Sequence, residues 1–163
     1  MRGFLSTSIV IAALAGVLTV PAGAGDSVPF KSSDLGGFEI VGTCGNPLVV
    51  LTDDWGSGTG THIGKYTFRA SECVNLMTLT VTDGRWSITA ANGDTLSGRY
   101  AGQAAPVTGS PCDITYDVEG PVTGGTGRFQ GASGRLRWLG FADLCEGIVG
   151  DEISGTISSV GSN

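Results

Sequence analysis

The side chains best suited to chemistry in this chain are four cysteines, one histidine and a set of strand-borne aromatics. Cys44, Cys73, Cys112 and Cys145 are even in number, and no two of them lie close in sequence. With His62 as the only histidine, the close ligand pairs of a zinc site are missing, so two disulfides are expected and no metal. His62 is also the one side chain whose ordinary pKa suits proton transfer near neutrality. It is therefore the candidate catalytic residue, although no carboxylate lies near it in sequence and a structural hydrogen bond would occupy it equally well. Tyr66, Phe68, Trp86, Tyr100, Tyr116 and Trp138 are the candidate ligand-binding residues. They fall on one face of their segments, where six aromatics would either fill a core or line a cavity. Arg99, Asp117, Glu119 and Arg137 fall on the opposite, polar face, which looks to solvent if the interior is apolar. Trp55, in a reading of Asp53-Asp54-Trp55-Gly56 as a turn, would suit stacking on a sugar.

Alternation supplies the elements that position these residues. Met77, Leu79 and Val81 interleave with threonines, and Trp86, Ile88 and Ala90 resume the pattern after Asp83-Gly84. A two-residue Asp-Gly between alternating runs is a tight-hairpin signal, because both turn positions favour positive φ. Asn92-Gly93-Asp94 marks the next turn, before Leu96, Gly98 and Tyr100. Further strands are expected over residues 48–51, 59–70, 114–119, 135–143 and 152–158. No segment carries apolar residues at helical spacing over three turns. The chain is thus read as all-β, with eight strands joined by short connections. Such strands favour an eight-stranded antiparallel up-and-down β-barrel, whose closure removes exposed edges, with an open sandwich as the alternative.

Strand counting assigns the cysteines to barrel ends. Cys112 and Cys145 fall at the end that carries Asp83-Gly84, and Cys44 and Cys73 at the other. The only pairing that joins same-end partners is Cys44 with Cys73 and Cys112 with Cys145. Around Leu136 to Phe141 both faces are apolar, so Leu139 and Phe141 would look outward and could form a contact between copies in a homo-oligomer.

The first residues, Met1 and Arg2, precede an apolar run from about Ser8 to Val20, then Pro21 and the small residues Ala22-Gly23-Ala24. This is the layout of a secretory signal peptide over residues 1–24, too short for a comfortable membrane span, with an uncleaved anchor as the alternative. Residues 25–47 are read as an N-terminal extension and residues 48–163 as the barrel. The product is expected to be secreted and free of the membrane once the signal is removed. The formal net charge of −6 argues against partners recognised through phosphate charge, so no nucleic acid is expected.

Three strings carry a family resemblance: Gly60-Thr61-His62-Ile63-Gly64, Ala91 to Gly98, and Thr123-Gly124-Gly125-Thr126-Gly127-Arg128-Phe129-Gln130-Gly131-Ala132-Ser133-Gly134. The last resembles the glycine-rich turn of the allene oxide cyclase and dirigent-protein barrels. A barrel corner is the expected reading, and a phosphate cradle the weaker alternative, since no Lys-Ser/Thr follows and no helix is expected. In physical terms its glycines allow angles that a Cβ forbids, and Phe129 can fold back as an apolar plug. The resemblance implies a cofactor-free barrel that confines a reactive, flexible substrate in one folded shape, by cyclisation or by guided coupling. The acids and arginines of the plant members cannot be matched position by position here, so no catalytic residue is carried over from them. The sequence-level expectation is therefore a non-catalytic barrel holding a small apolar ligand or serving a structural extracellular role, with a cyclase, isomerase or dirigent-like activity as the alternative.

Overall fold

The computed structural model describes residues 26–158, and the expected signal peptide lies outside them. Eight strands follow one another: β1 (Ser27–Asn46), β2 (Val49–Gly60), β3 (Gly64–Asn75), β4 (Thr80–Ala90), β5 (Thr95–Pro106), β6 (Asp113–Gly125), β7 (Gly134–Asp143) and β8 (Ile148–Ser158). Each pairs antiparallel with the next and β8 returns to β1, so the sheet closes as an up-and-down barrel. A 3-10 turn at Gly127–Phe129 is the only helical piece among the described residues. None of these residues forms a helix long and apolar enough to cross a membrane.

The count of eight was right through two errors that offset each other. The segment read as an extension is β1, paired with β2 on one side and β8 on the other. Its glycines and charged residues hide the strand from composition, because its edges are satisfied by barrel closure and not by local propensity. Conversely, Asp83-Gly84 is no hairpin. It is a bulge inside β4, where the register to β5 slips between Val81 and Gly84, and Asp83 takes φ 56°. The true turn lies upstream, where the Asn75 side-chain oxygen accepts from the backbone N–H of Met77 and Thr78. Met77, read as an inner-face residue, is 74% exposed there. The Asn92-Gly93 turn is as expected, with Gly93 at φ 88°.

Both disulfides form with the expected partners, Cys44–Cys73 and Cys112–Cys145. Their placement differs from the strand count. Cys44 ends β1, Cys73 ends β3, Cys112 precedes β6 and Cys145 follows β7, so all four stand at one end of the barrel. Lateral neighbourhood selects the partners: Cys73 faces Leu51 on β2, and Thr43, beside Cys44, faces Val50 on the same strand.

The two ends of the barrel are built differently. At the end opposite the disulfides, Phe30, Leu96, Phe129, Leu136 and Ile157 are the large side chains most completely buried. Phe129 does fold back as the plug. Thr126 locks its turn by donating its N–H to the Thr95 carbonyl at 2.9 Å and accepting the Thr95 N–H on its hydroxyl at 3.0 Å. Gly127 stands at φ 57°, and a Cβ there would overlap the Asp94 carboxylate, so this position requires glycine. Among the described residues, no such plug stands at the disulfide end.

Candidate functional site

Inside the barrel, between the plug and the disulfide end, lies a cavity of about 250 Å³. Its walls are mostly apolar. Phe68, Trp86, Tyr100, Tyr116 and Trp138 line it, and it runs to a rim that includes Ile40, Leu76 and Leu144, each about half exposed. Trp86 meets Trp138 edge-on with ring centroids 5.3 Å apart, and Tyr100 lies 5.5 Å from Trp138. Five of the six expected aromatics thus border one space. Tyr66 does not; it packs into the core below and reaches the site only through its hydroxyl.

Glycines on neighbouring strands admit these rings. Tyr66 lies against Gly58 and Tyr116 against Gly140, each a direct cross-strand pair. At Gly140 a Cβ would run into the Tyr116 ring and come within 2.5 Å of an Asp151 carboxyl oxygen. Those two glycines let the tyrosine hydroxyls reach carboxyls, and carboxyls are the chemical content of the cavity.

Asp34 on β1, Asp54 on β2, Glu72 on β3 and Asp151 on β8 all border it, from four adjacent strands. They form two pairs. Asp34 and Asp151 face each other across β1 and β8 and share a hydrogen bond, and Asp54 shares one with Glu72. Tyr66 donates its O–H to Asp34 at 2.8 Å, and Tyr100 donates to Glu72 at 2.6 Å. The Tyr116 ring and the Asp151 carboxyl both lie against Gly140. Among the described residues, no Lys, Arg or His borders the cavity.

Burial disfavours the charged form of every carboxyl here, so all four pKa values rise. Asp54 is pushed up to about 9 by burial and then by the charge of Glu72. Asp151 rises to about 8 through burial and the charge of Asp34. Asp34 rises only to about 6, because Tyr66 and Asp151 both donate to it. Glu72 is raised by burial and held back by the hydrogen bond that Tyr100 donates. Near neutral pH Asp54 and Asp151 therefore keep their protons, while Glu72 and Asp34 accept the hydrogen bonds of Tyr100 and Tyr66. The tyrosine hydroxyls are pushed above their usual range by burial and these neighbours, so they act as donors.

The polar residues singled out from sequence lie elsewhere. His62 sits in the β2–β3 turn at the plugged end, exposed, with a ring N–H donating to the Pro29 carbonyl at 3.1 Å. It does not line the barrel cavity, and its ring is engaged by this hydrogen bond. Arg137 pairs with Asp117 and Arg135 with Glu119 on the outer surface of β6 and β7. Arg99 also faces out, opposite Arg85. Trp55 is not in a turn but within β2, on the outside, beneath the Arg69 guanidinium. The one group of possible metal-ligating side chains among the described residues is Cys112, Asp143 and Cys145, whose two sulfurs are already joined in a disulfide.

All four cavity acids escaped notice for one reason: they fall in segments whose strand character is weak. Asp34 lies in the supposed extension, Asp54 in the supposed turn, and Glu72 and Asp151 just beyond the strand ends expected from sequence. Asp and Glu are poor strand formers, so they mark apparent boundaries. A signal did exist. Continuing the two-residue period from Tyr66, Phe68 and Ala70 puts Glu72 on the inner face, and continuing it back from Ile157 and Ile153 does the same for Asp151.

No protein-family model matches the chain, and no curated protein matches it.

Proposed function

We propose that this is a secreted barrel that holds a small, mainly apolar molecule in its interior and reads one polar group of that molecule with buried carboxyls. The observation that carries this reading is the 250 Å³ cavity with aromatic walls and four acids but no base. A purely structural barrel gains nothing from an interior that leaves carboxyls dry and unfilled space beside them. Two disulfides fit an oxidising, extracellular setting. Native mass spectrometry of the protein taken from its host's culture medium tests the reading. A co-purifying molecule released on unfolding is the expected result. A bare polypeptide that also fails to take up small apolar probes would overturn it.

One observation favours a second reading, an acid-assisted cyclisation or isomerisation. Asp54 and Asp151 keep their protons near neutral pH in an apolar space, next to Glu72 and Asp34 as acceptors. Positioned acids of this kind contribute about 10²–10⁴-fold to proton-transfer steps. The glycine-rich Thr123–Gly134 string supports kinship with the allene oxide cyclase and dirigent barrels, where confinement of a flexible substrate does much of the work. Turnover of the co-purified molecule or its precursor, lost in Asp54→Asn while binding persists, would favour catalysis over storage. Outside the barrel, Leu35, Leu139 and Phe141 form an exposed apolar patch over β1, β8 and β7 that fits a contact between copies, which sedimentation velocity would detect.

A further inference from the structure

The cavity has an imbalance of charge that the wall does not resolve. Each carboxyl pair accepts hydrogen bonds at one member, Asp34 or Glu72, and neither pair meets a cationic side chain. A buried anion without a counter-charge is costly, and proteins usually supply a cation or a metal. A metal does not suit this geometry. Among the described residues no three cavity carboxyls come close enough to hold one ion. The acids are spread as two pairs along one wall, over β8, β1, β2 and β3.

A further side chain points to an absent occupant. Thr52 borders the cavity, is only 6% exposed, and its hydroxyl has no partner. Oxygen atoms of Asp34, Asp54 and Asp151 are likewise buried and without a donor from the protein outside the carboxyl pairs. The lining contributed by β4, β5 and β7 includes Trp86, Tyr100 and Trp138, aromatic residues of the kind that attract cations. The remaining lining towards the rim is aliphatic, from Val74, Ile114 and Val149 to Leu144.

From this arrangement we infer that the occupant is an organic ammonium: a cationic nitrogen seated between the Asp34/Asp151 and Asp54/Glu72 pairs and the indoles, with an apolar tail towards the disulfide end. The inference rests on the ligand-holding function proposed above and names the chemical class of the ligand. At about 30 Å³ per water-sized unit, the cavity takes about eight such units, the size of a short alkylamine. The cation also alters proton occupancy. The titratable groups facing it are Asp34 from β1, Asp54 from β2, Tyr66 and Glu72 from β3, Tyr100 from β5, Tyr116 from β6 and Asp151 from β8, while β4 and β7 contribute the two indoles. With no base among them, a bound ammonium favours ionised carboxyls, so binding releases protons and tightens as pH rises from 6 to 8.

Calorimetry on the disulfide-intact protein tests this with three probes of one length: 1-aminohexane, 1-hexanol and hexanoate. The amine is expected to bind at least tenfold more tightly than the alcohol at pH 7.5, with proton release seen as a buffer-dependent heat, and hexanoate is expected not to bind. Asp34→Asn with Glu72→Gln should erase the amine's advantage and leave hexanol binding in place. The wild-type comparison stands even if that double variant does not fold. Hexanol binding as tightly as the amine, or more tightly as pH falls, would overturn the cationic ligand and leave the cavity reading intact. Failure of both amine and alcohol to bind would remove the ligand-holding function itself.

Discussion

The plugged end and the disulfide end of this barrel solve the same problem, closing a cylinder of eight strands, by opposite means. At the plugged end the chain fills the bore with its own side chains, led by Phe129 from a glycine-rich turn and by Phe30, Leu96, Leu136 and Ile157. At the other end the bore stays open above four carboxyls, and two covalent bridges hold the rim. Packing fixes the first end and cross-links fix the second. The lesson is that stability and chemistry are separated along the barrel axis. The filled half can support dry acids in the other half, whose burial acts against folding.

That contrast is open to direct attack. Phe129→Ala removes a plug that is 2% exposed, and the expected loss is about 3–5 kcal/mol in urea unfolding, against about 1 kcal/mol or less for Val74→Ala on the cavity wall. Equal costs would mean the two halves are not packed differently. Replacing either cysteine pair by alanines should lower stability by about 3–4 kcal/mol, since the bridges close loops spanning 29 and 33 residues. The effect should concentrate at the cavity end, with amide exchange rising in the β3–β4 and β7–β8 turns before the Phe129 turn.

The carboxyls give the comparison a pH axis. A carboxyl with a raised pKa keeps its proton in the folded state where the unfolded chain has lost it. Between pH 3.8 and about 9 the native state therefore binds more protons, and stability falls as pH rises across that window. A melting midpoint that instead climbed steadily from pH 5 to 9 would contradict the buried pairs. Asp54→Asn keeps a donor to Glu72 and carries no charge. It should stabilise the protein at pH 9 by about 1–3 kcal/mol and change little at pH 5. The smallest expected effect belongs to the outer wall, where Arg137→Ala breaks the exposed pair with Asp117. No measurable shift in midpoint is expected there, because solvent screens such pairs.

Much of the barrel was legible because its physics is local. The two-residue alternation in β5, β6 and β7 exposes an inner face directly, and the Asn92-Gly93 turn declares itself by the positive φ it needs. The site was far less legible. Its acids come from β1, β2, β3 and β8, strands whose Gly, Asp and Ser content makes them poor strands in isolation. They hold extended form because each is hydrogen-bonded on both sides in a closed sheet. The Asp83-Gly84 bulge shows the converse, a strong local turn signal overruled by pairing to β3 and β5 on either side.

The sequence by itself determined an all-β chain with alternating faces, an even set of cysteines for two disulfides, an inward set of aromatics and the Phe129 plug. Each of those follows from residue type and spacing along a short stretch. Tertiary structure alone decided that β1 belongs to the barrel, that all four cysteines share one end, that His62 stands outside, and that four distant acids meet in one cavity. Those facts depend on which strands become neighbours when the sheet closes. Burial of a carboxyl, and the proton it then keeps, is a property of that closure and of no single segment.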